Sequence, residues 1–256
     1  MIIRFKTSRT FLETLFPTAQ FRFKVADTVA MASFVATRAH NTRHTTLRFY
    51  VHGVQYIKKD GIAIDGTYMP VVFETPSSPG TSEAGLLPTV LCDIELSTGN
   101  TSVRTTASWR GAKFADITVD DLQDEEQTEK KQEEDERCRE ESTDEEGILF
   151  YRYIPAIHTP GKPAAEYPCL IPRPPCTEEE RRKSTKMAKM TRPESGSVKT
   201  AVTINIVSHD WETLPTLHHI ASTLAEVPIY EIVSAKVVEL VGTARADDGT
   251  SCIRLE

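Results

Sequence analysis

Residues 80–94 read GTSEAGLLPTVLCDI and carry a carboxylate, Glu83, in a loop that runs into an apolar stretch, with no lysine, arginine or histidine. His52 lies in YVHGVQY between Val51 and Gly53, with Gln55 three residues on. Imidazole is the side chain whose proton affinity suits acid–base work near neutral pH, although a histidine inside a strand is more often a packing residue. Trp109, Arg110 and Lys113 in SWRGAKF form a polar and aromatic cluster after a strand. Such a cluster can border a binding mouth or pack against the C-terminal helix.

Other groupings offer less. Ser208, His209 and Asp210 are adjacent, whereas a hydrolase triad assembles from separated residues, because neighbouring side chains diverge. His218 and His219 are consecutive on a helix and are expected to point in different directions, which speaks against a shared metal site. The five cysteines, Cys92, Cys138, Cys169, Cys176 and Cys252, are scattered, odd in number and without a CxxC pair. Neither a zinc site nor a disulfide framework is signalled, and Cys92 in VLCDI reads as a small core residue. No metal and no cofactor are expected.

The chain has 256 residues, 39% of them hydrophobic, enough for a substantial core. No run approaches the roughly 20 apolar residues of a spanning helix, and the N-terminal MIIRFKTSRTFLETLF has no signal-peptide pattern. The expectation is a cytoplasmic protein without a membrane partner. The net charge of −7 comes from one segment: residues 120–146 hold 15 acidic and 4 basic residues, a net of −11. The rest of the chain is therefore near +4 (−7 less −11), and the acidic balance describes the insert rather than any binding surface. With almost no apolar periodicity and strong self-repulsion, the insert is expected to be disordered or a solvated helix.

A second stretch, 171–200, is rich in proline and carries a basic cluster from Arg181 to Arg192. No aromatic residue is interleaved with those cations, so base stacking has no platform, and a solvated loop without a nucleic-acid partner is expected. Outside these two segments the sequence reads as mainly β. The run LRFYVHGVQYIKKDGIAIDGTYMPVVFE looks like a hairpin or meander turning at KKDG. Further strands are expected in VLCDIEL, SVRTTASW, ILFYRYIPAI, VKTAVTINIV and IYEIVSAKVVELVGTAR. In HDWETLPTLHHIASTLAEVP, Leu217, Ile220, Ala221 and Leu224 fall on one helix face, with Thr213 or Thr216 to cap it and Pro228 beyond its end. A shorter helix, SRTFLETLF, stops before Pro17.

The order of FPTAQFRFKVADTVAMASFVAT, YVHGVQYIKKDGIAIDGTYMPVVFE, PTVLCDIEL, SWRGAKF and WETLPTLHHIASTLAEVPIYEIVSAKVV resembles the fungal branch of the acetoacetate decarboxylase family. The resemblance spans most of residues 1–256 as one domain, apart from the acidic insert and the basic loop. It implies a closed, cone-shaped antiparallel β-barrel with one or two flanking helices, often in a homo-oligomer, whose interior holds a small carboxylated or keto substrate. It also implies decarboxylation of a β-keto acid, in which a lysine imine accepts the electrons of the broken bond. That lysine is kept partly deprotonated by an apolar pocket and a neighbouring cation.

The family loop reads approximately G-R-E-x-x-G-x-P-K, and the matching positions here are Ser82, Glu83, Pro88 and Thr89. Glu83 and Pro88 are kept, while Ser82 and Thr89 replace the arginine and the imine lysine. The family's paired glutamates have no clear match, with His52 and Gln55 close to their expected place. Three readings follow. An imine-free decarboxylase of a polyketide-derived β-keto acid would use Glu83 and His52 to bind or protonate a substrate whose own carbonyl is the electron sink. Another lysine, Lys113 or Lys58, would otherwise reach in. Alternatively the barrel performs dehydration or cyclisation, or binds without turnover. Gln55, Trp109 and Arg110 are the expected substrate-binding residues.

Overall fold

The structure is a computed structural model that describes residues 1–38, 44–76, 88–120, 147–154, 165–172, 188–191, 201–210, 212–214, 218–238 and 253–255. The loop with Ser82 and Glu83 and the insert from residue 121 to 146 lie outside the described residues.

The chain starts with β1 (Ile2–Ser8), whose alternation buries Ile3 and Phe5 completely. This strand is not among those expected, although Arg4 and Lys6 alternate with Ile3 and Phe5. Ser8 then caps α1 (Arg9–Glu13) by accepting a hydrogen bond from the Phe11 amide at 3.2 Å, which satisfies an orphan donor of the first turn. After β2 (Phe21–Phe23) come three long strands, β3 (Val29–Arg38), β4 (Thr45–Ile57) and β5 (Ala63–Glu74), paired antiparallel in sequence order. The expected hairpin is thus β4–β5, closed by a turn in which the Lys58 amide bonds the Ile62 carbonyl at 2.9 Å.

Two short neighbours lie parallel to β5: β6 (Thr89–Leu91), against Val72–Glu74, and β10 (Gly147–Ile154), against Gly66–Tyr68. Here the structure departs from the antiparallel expectation. Beyond β10 follow β11 (Ala165–Ile171) and β15 (Ile253–Arg254), while β14 (Glu231–Val238) and β12 (Ala188–Thr191) extend the other side beyond β1. β12 falls inside the stretch read as a loop, because the edge of β14 offers it a ladder. The large sheet is therefore mixed, and among the described strands its hydrogen-bonded path does not close on itself.

A second sheet of four antiparallel strands contains β7 (Asp93–Thr98), β8 (Val103–Trp109), β9 (Ala112–Val119) and β13 (Val202–Ile206). The expected strand VLCDIEL is split at Cys92 between β6 in one sheet and β7 in the other. Cys92 itself is buried, and that burial, reinforced by the Asp93 charge, pushes its thiol up to about 12. A thiol so protonated is a packing group rather than a nucleophile.

The two sheets share one apolar core. Phe5 stacks on Phe34 at 5.8 Å between ring centroids, Phe34 lies 5.0 Å from Phe49, and Phe73 meets Phe114 of the small sheet at 5.2 Å. The helix α2 (His218–Ala225) adds Ala221 and Leu224, whose burial matches the helical period, and Leu214 and Val227 join the core from either side of it. Ahead of α2, the Asp210 carboxylate accepts from the Thr213 amide at 2.8 Å. Thr216 and Leu217 lie outside the described residues.

Gly66 sets the seam between β5 and β10. A Cβ there would stand 2.7 Å from Leu149 Cγ and 2.8 Å from the Gly147 carbonyl oxygen, so the backbone itself would have to move. Gly66→Ala is expected to cost about 1–3 kcal/mol, as overpacking does. A denaturant titration checks this, and an unchanged midpoint would show that the seam is looser than described.

Candidate functional site: the polar face of the large sheet

Paired residues in a β-ladder point to the same side, so register decides which side chains share a face. The face opposite the aromatic core carries a row that crosses six strands: Lys236, Ile2, Val35, Arg48, Val72 and Thr89. A neighbouring row runs Ser234, Arg4, Ser33 and Tyr50. The face is not open to water throughout, since Ser33, Thr67, Met69, Val72 and Glu74 are all buried on β3 and β5.

His52 belongs to this face. On β4 it sits at a register shift with Gly53, whose φ of 70° is the left-handed conformation that glycine adopts without strain. The imidazole Nε2 lies 2.8 Å from Ser33 Oγ and Nδ1 lies 3.5 Å from Thr67 Oγ1. Ser33 and Thr67 are 2% and 8% exposed, so the half-buried ring is held between two buried hydroxyls. Both hydroxyls can donate or accept, so the arrangement tolerates either neutral tautomer. It can support proton transfer, and it equally satisfies a packed histidine.

Thr89 opens β6 and is half-buried, with Oγ1 buried and without a hydrogen-bond partner among the described residues. Pro88 precedes it, and its carbonyl accepts from the Val72 amide at 3.0 Å. Arg48, two strands away, likewise buries a partnerless Nε. At ~3.3 Å per residue and ~4.8 Å per strand, the Cα atoms of His52 and Thr89 are ~16 Å apart, with Arg48 in Thr89's own row. His52 and Thr89 therefore share a face without touching.

The other expected site residues are placed elsewhere. Gln55 is half-buried beyond the register shift, paired with Arg22 and Asp65 near the end of the β4–β5 hairpin. Arg110 and Gly111, with φ of 48° and 84°, make the two-residue turn between β8 and β9. The Arg110 guanidinium lies 5.7 Å from the Trp109 ring, and Trp109 is half-buried against the core. Lys113 is exposed on the small sheet, with Nζ 3.0 Å from Asp116. Its carbonyl accepts from His209 Nε2 at 2.8 Å. Lys58 stands in the hairpin turn. A groove of about 470 Å³ on the small sheet is lined by Ser97, Gly99, Arg104 and Asp120 among others, none of them on the polar face.

Consecutive helical position does not separate the two α2 histidines: the rings of His218 and His219 lie 3.8 Å apart, because their side chains fold toward each other. Among the described residues, no group of three or more histidine, cysteine and acidic side chains is arranged to hold a metal. No helix among them is long and apolar enough to cross a membrane.

Arg48, Ser33, Thr67 and Lys236 escape a reading by motif. For Arg48 a signal was available: in TLRFYVH, alternate positions carry arginine, tyrosine and histidine, a polar side on an otherwise apolar strand. Lys236 is half-buried in the row of Thr89 and has no ion-pair partner among the described residues, whereas Lys6 is paired with Glu231 and Lys24 with Asp65.

Asp116 supplies a test of the small sheet. It receives Arg104 Nε at 2.8 Å together with Lys113, and the Arg104 hydrogen bond first, then Lys113, holds its carboxyl down to about 2. A carboxyl depressed in the folded state stabilises above its ordinary value near ~4 and loses that contribution as pH falls toward the folded value. Both cations are about half exposed, so the gain is strongly screened. Asp116→Asn is expected to flatten the fall in melting temperature between about pH 4 and pH 2. A variant as acid-sensitive as the parent would show that other carboxylates govern that window.

No protein-family profile matches the sequence, and no curated protein does. Solved structures match throughout. An acetoacetate decarboxylase from Legionella pneumophila superposes with a TM-score of 0.55 at 14% identity, covering 93% of this chain and 80% of that one. An acetoacetate decarboxylase-like enzyme from Sphingomonas wittichii gives 0.53 at 11%, covering 92% and 86%. The enduracididine biosynthesis enzyme MppR, complexed with the condensation product of pyruvate and imidazole 4-carboxaldehyde, gives 0.51 at 8%, covering 92% and 80%. The chain has the mainly β fold of acetoacetate decarboxylase-like proteins. At these identities the likeness extends to the fold alone.

Proposed function

We propose that this chain is a lyase that decarboxylates a β-keto acid, polyketide-derived in keeping with the fungal resemblance, without forming an imine at Thr89. The single domain would carry the site inside a closed cone. The observation that carries the reading is His52, held between Ser33 and Thr67 on the face that presents Thr89. A threonine hydroxyl cannot condense with a ketone, so the substrate's own carbonyl must take the electrons. The bond to the carboxylate breaks, carbon dioxide leaves, the electron pair forms the enolate double bond, and negative charge settles on the ketone oxygen. A proton then passes from His52 to carbon, relayed by solvent across the ~16 Å that separate His52 from Thr89. Glu83, in the loop before Thr89, is a second candidate for binding or protonation. Lys113, Trp109 and Arg110 have no role in this reading.

The test is release of carbon dioxide from acetoacetate and from a longer β-keto acid, with intact mass recorded after borohydride. Carbon dioxide without a mass gain is the expected result. A reduced adduct would overturn the imine-free route and direct attention to Lys236. Neither signal would favour a second reading, in which the carboxylate is kept and the chain performs a dehydration or cyclisation. That reading draws on MppR, a neighbour in fold found with a condensation product.

A further inference from the structure

We infer that Arg48 and Thr89 form an oxyanion subsite, in which the guanidinium Nε–H and the threonine Oγ–H donate to the enolate oxygen of a short β-dicarbonyl or β-keto compound. The inference rests on the imine-free reading above and gives its electron sink a location.

Two observations point to it. Arg48 Nε and Thr89 Oγ1 are both buried and both lack a hydrogen-bond partner among the described residues. Leaving a buried donor unmade costs about 1–3 kcal/mol, more when it is charged, so two such donors together invite an acceptor. They also occupy one register row, Arg48 opposite Val72 and Val72 opposite Thr89, so both side chains rise from the same face with one apolar residue between them. The other buried orphan atoms outside α2, on Thr7, Thr18, Thr105, Trp109 and Arg152, share no such row with one another.

The chemistry fits a developing anion better than a ground state. A ketone oxygen is neutral and gains little from a guanidinium, whereas an enolate oxygen gains a charge-assisted bond from it. Val72, 1% exposed, sits between the donors and keeps the local dielectric low. A carboxylate held by Arg48 would be poorly placed to leave as neutral carbon dioxide, which favours the ketone oxygen as the group it faces.

Acetylacetone is a suitable probe, because it ionises to an enolate with a distinct ultraviolet band and has no carboxylate to lose. The unmodified protein is expected to bind it as the enolate and to lower its apparent ionisation pKa by about 1–3 units, as a cation within a few ångström does. Arg48→Met should weaken binding by about 10-fold or more and restore the free pKa, and Thr89→Val by about 3- to 10-fold. Arg48→Lys should retain part of the shift. Thermal melts accompany each variant, and if Arg48→Met does not fold, the isosteric Thr89→Val decides. Failure of the unmodified protein to bind, equal binding by both variants, or a covalent mass gain on a lysine would each overturn the subsite. Carbon dioxide release that survives Arg48→Met would remove the subsite and keep the decarboxylase reading. Enolate binding without release of carbon dioxide from any keto acid would do the reverse.

Discussion

Replacing His52 by glutamine is expected to lower turnover of a β-keto acid by about 10²–10⁴-fold, the usual worth of a positioned general acid or base. Glutamine suits the test because its amide can still bond Ser33 and Thr67, so the packing of β3, β4 and β5 is disturbed little. The loss should fall on kcat rather than KM, since the proton is needed only after the carbon–carbon bond has broken. Ser33→Ala separates positioning from chemistry: it removes the hydroxyl 2.8 Å from Nε2 while leaving the imidazole, and should move the pH profile of kcat more than its maximum. If His52→Gln lowers the melting temperature but leaves kcat intact, the histidine is a satisfied strand residue, and catalysis belongs to another group.

Thr89→Lys is expected to create an amine that forms a borohydride-trappable adduct with acetoacetate where the parent forms none at that position. The surroundings contain both devices that lower a lysine's proton affinity. Val72 beside it is apolar and buried, and Arg48 is the next residue along the same row. Burial and a like charge each disfavour the ammonium form, which leaves part of the amine free to attack a ketone near neutral pH. Peptide mapping of the reduced protein checks the site of attachment. A folded variant without an adduct would mean that Thr89 does not face the bound ketone, and would remove both the assignment of this position and the subsite built on it. An adduct on Lys236 in the parent protein would show that the amine has moved along the row rather than vanished.

Much of the local structure was legible because it depends on neighbours in the chain. The alternation LRFYVHGVQYI marks β4, the KKDG turn closes the β4–β5 hairpin, and α2 shows its apolar face at helical spacing. The absence of an amine at position 89 is likewise a fact of sequence alone. What the tertiary structure decided is which of these side chains meet. Ser33 and His52 are 19 residues apart and touch because β3 pairs with β4 in one register. Arg48 and Thr89 share a row because β6 lies parallel to β5, a pairing that no turn signal announces. It also split VLCDIEL between two sheets at Cys92 and gave β12 a partner inside a stretch whose prolines and charges argued for a loop. The physical reason is common to all of these. A period of two tells which residues alternate, but the register between strands is set by the burial of Phe34 against Phe49 and of Phe73 against Phe114, and that is a property of the packed core.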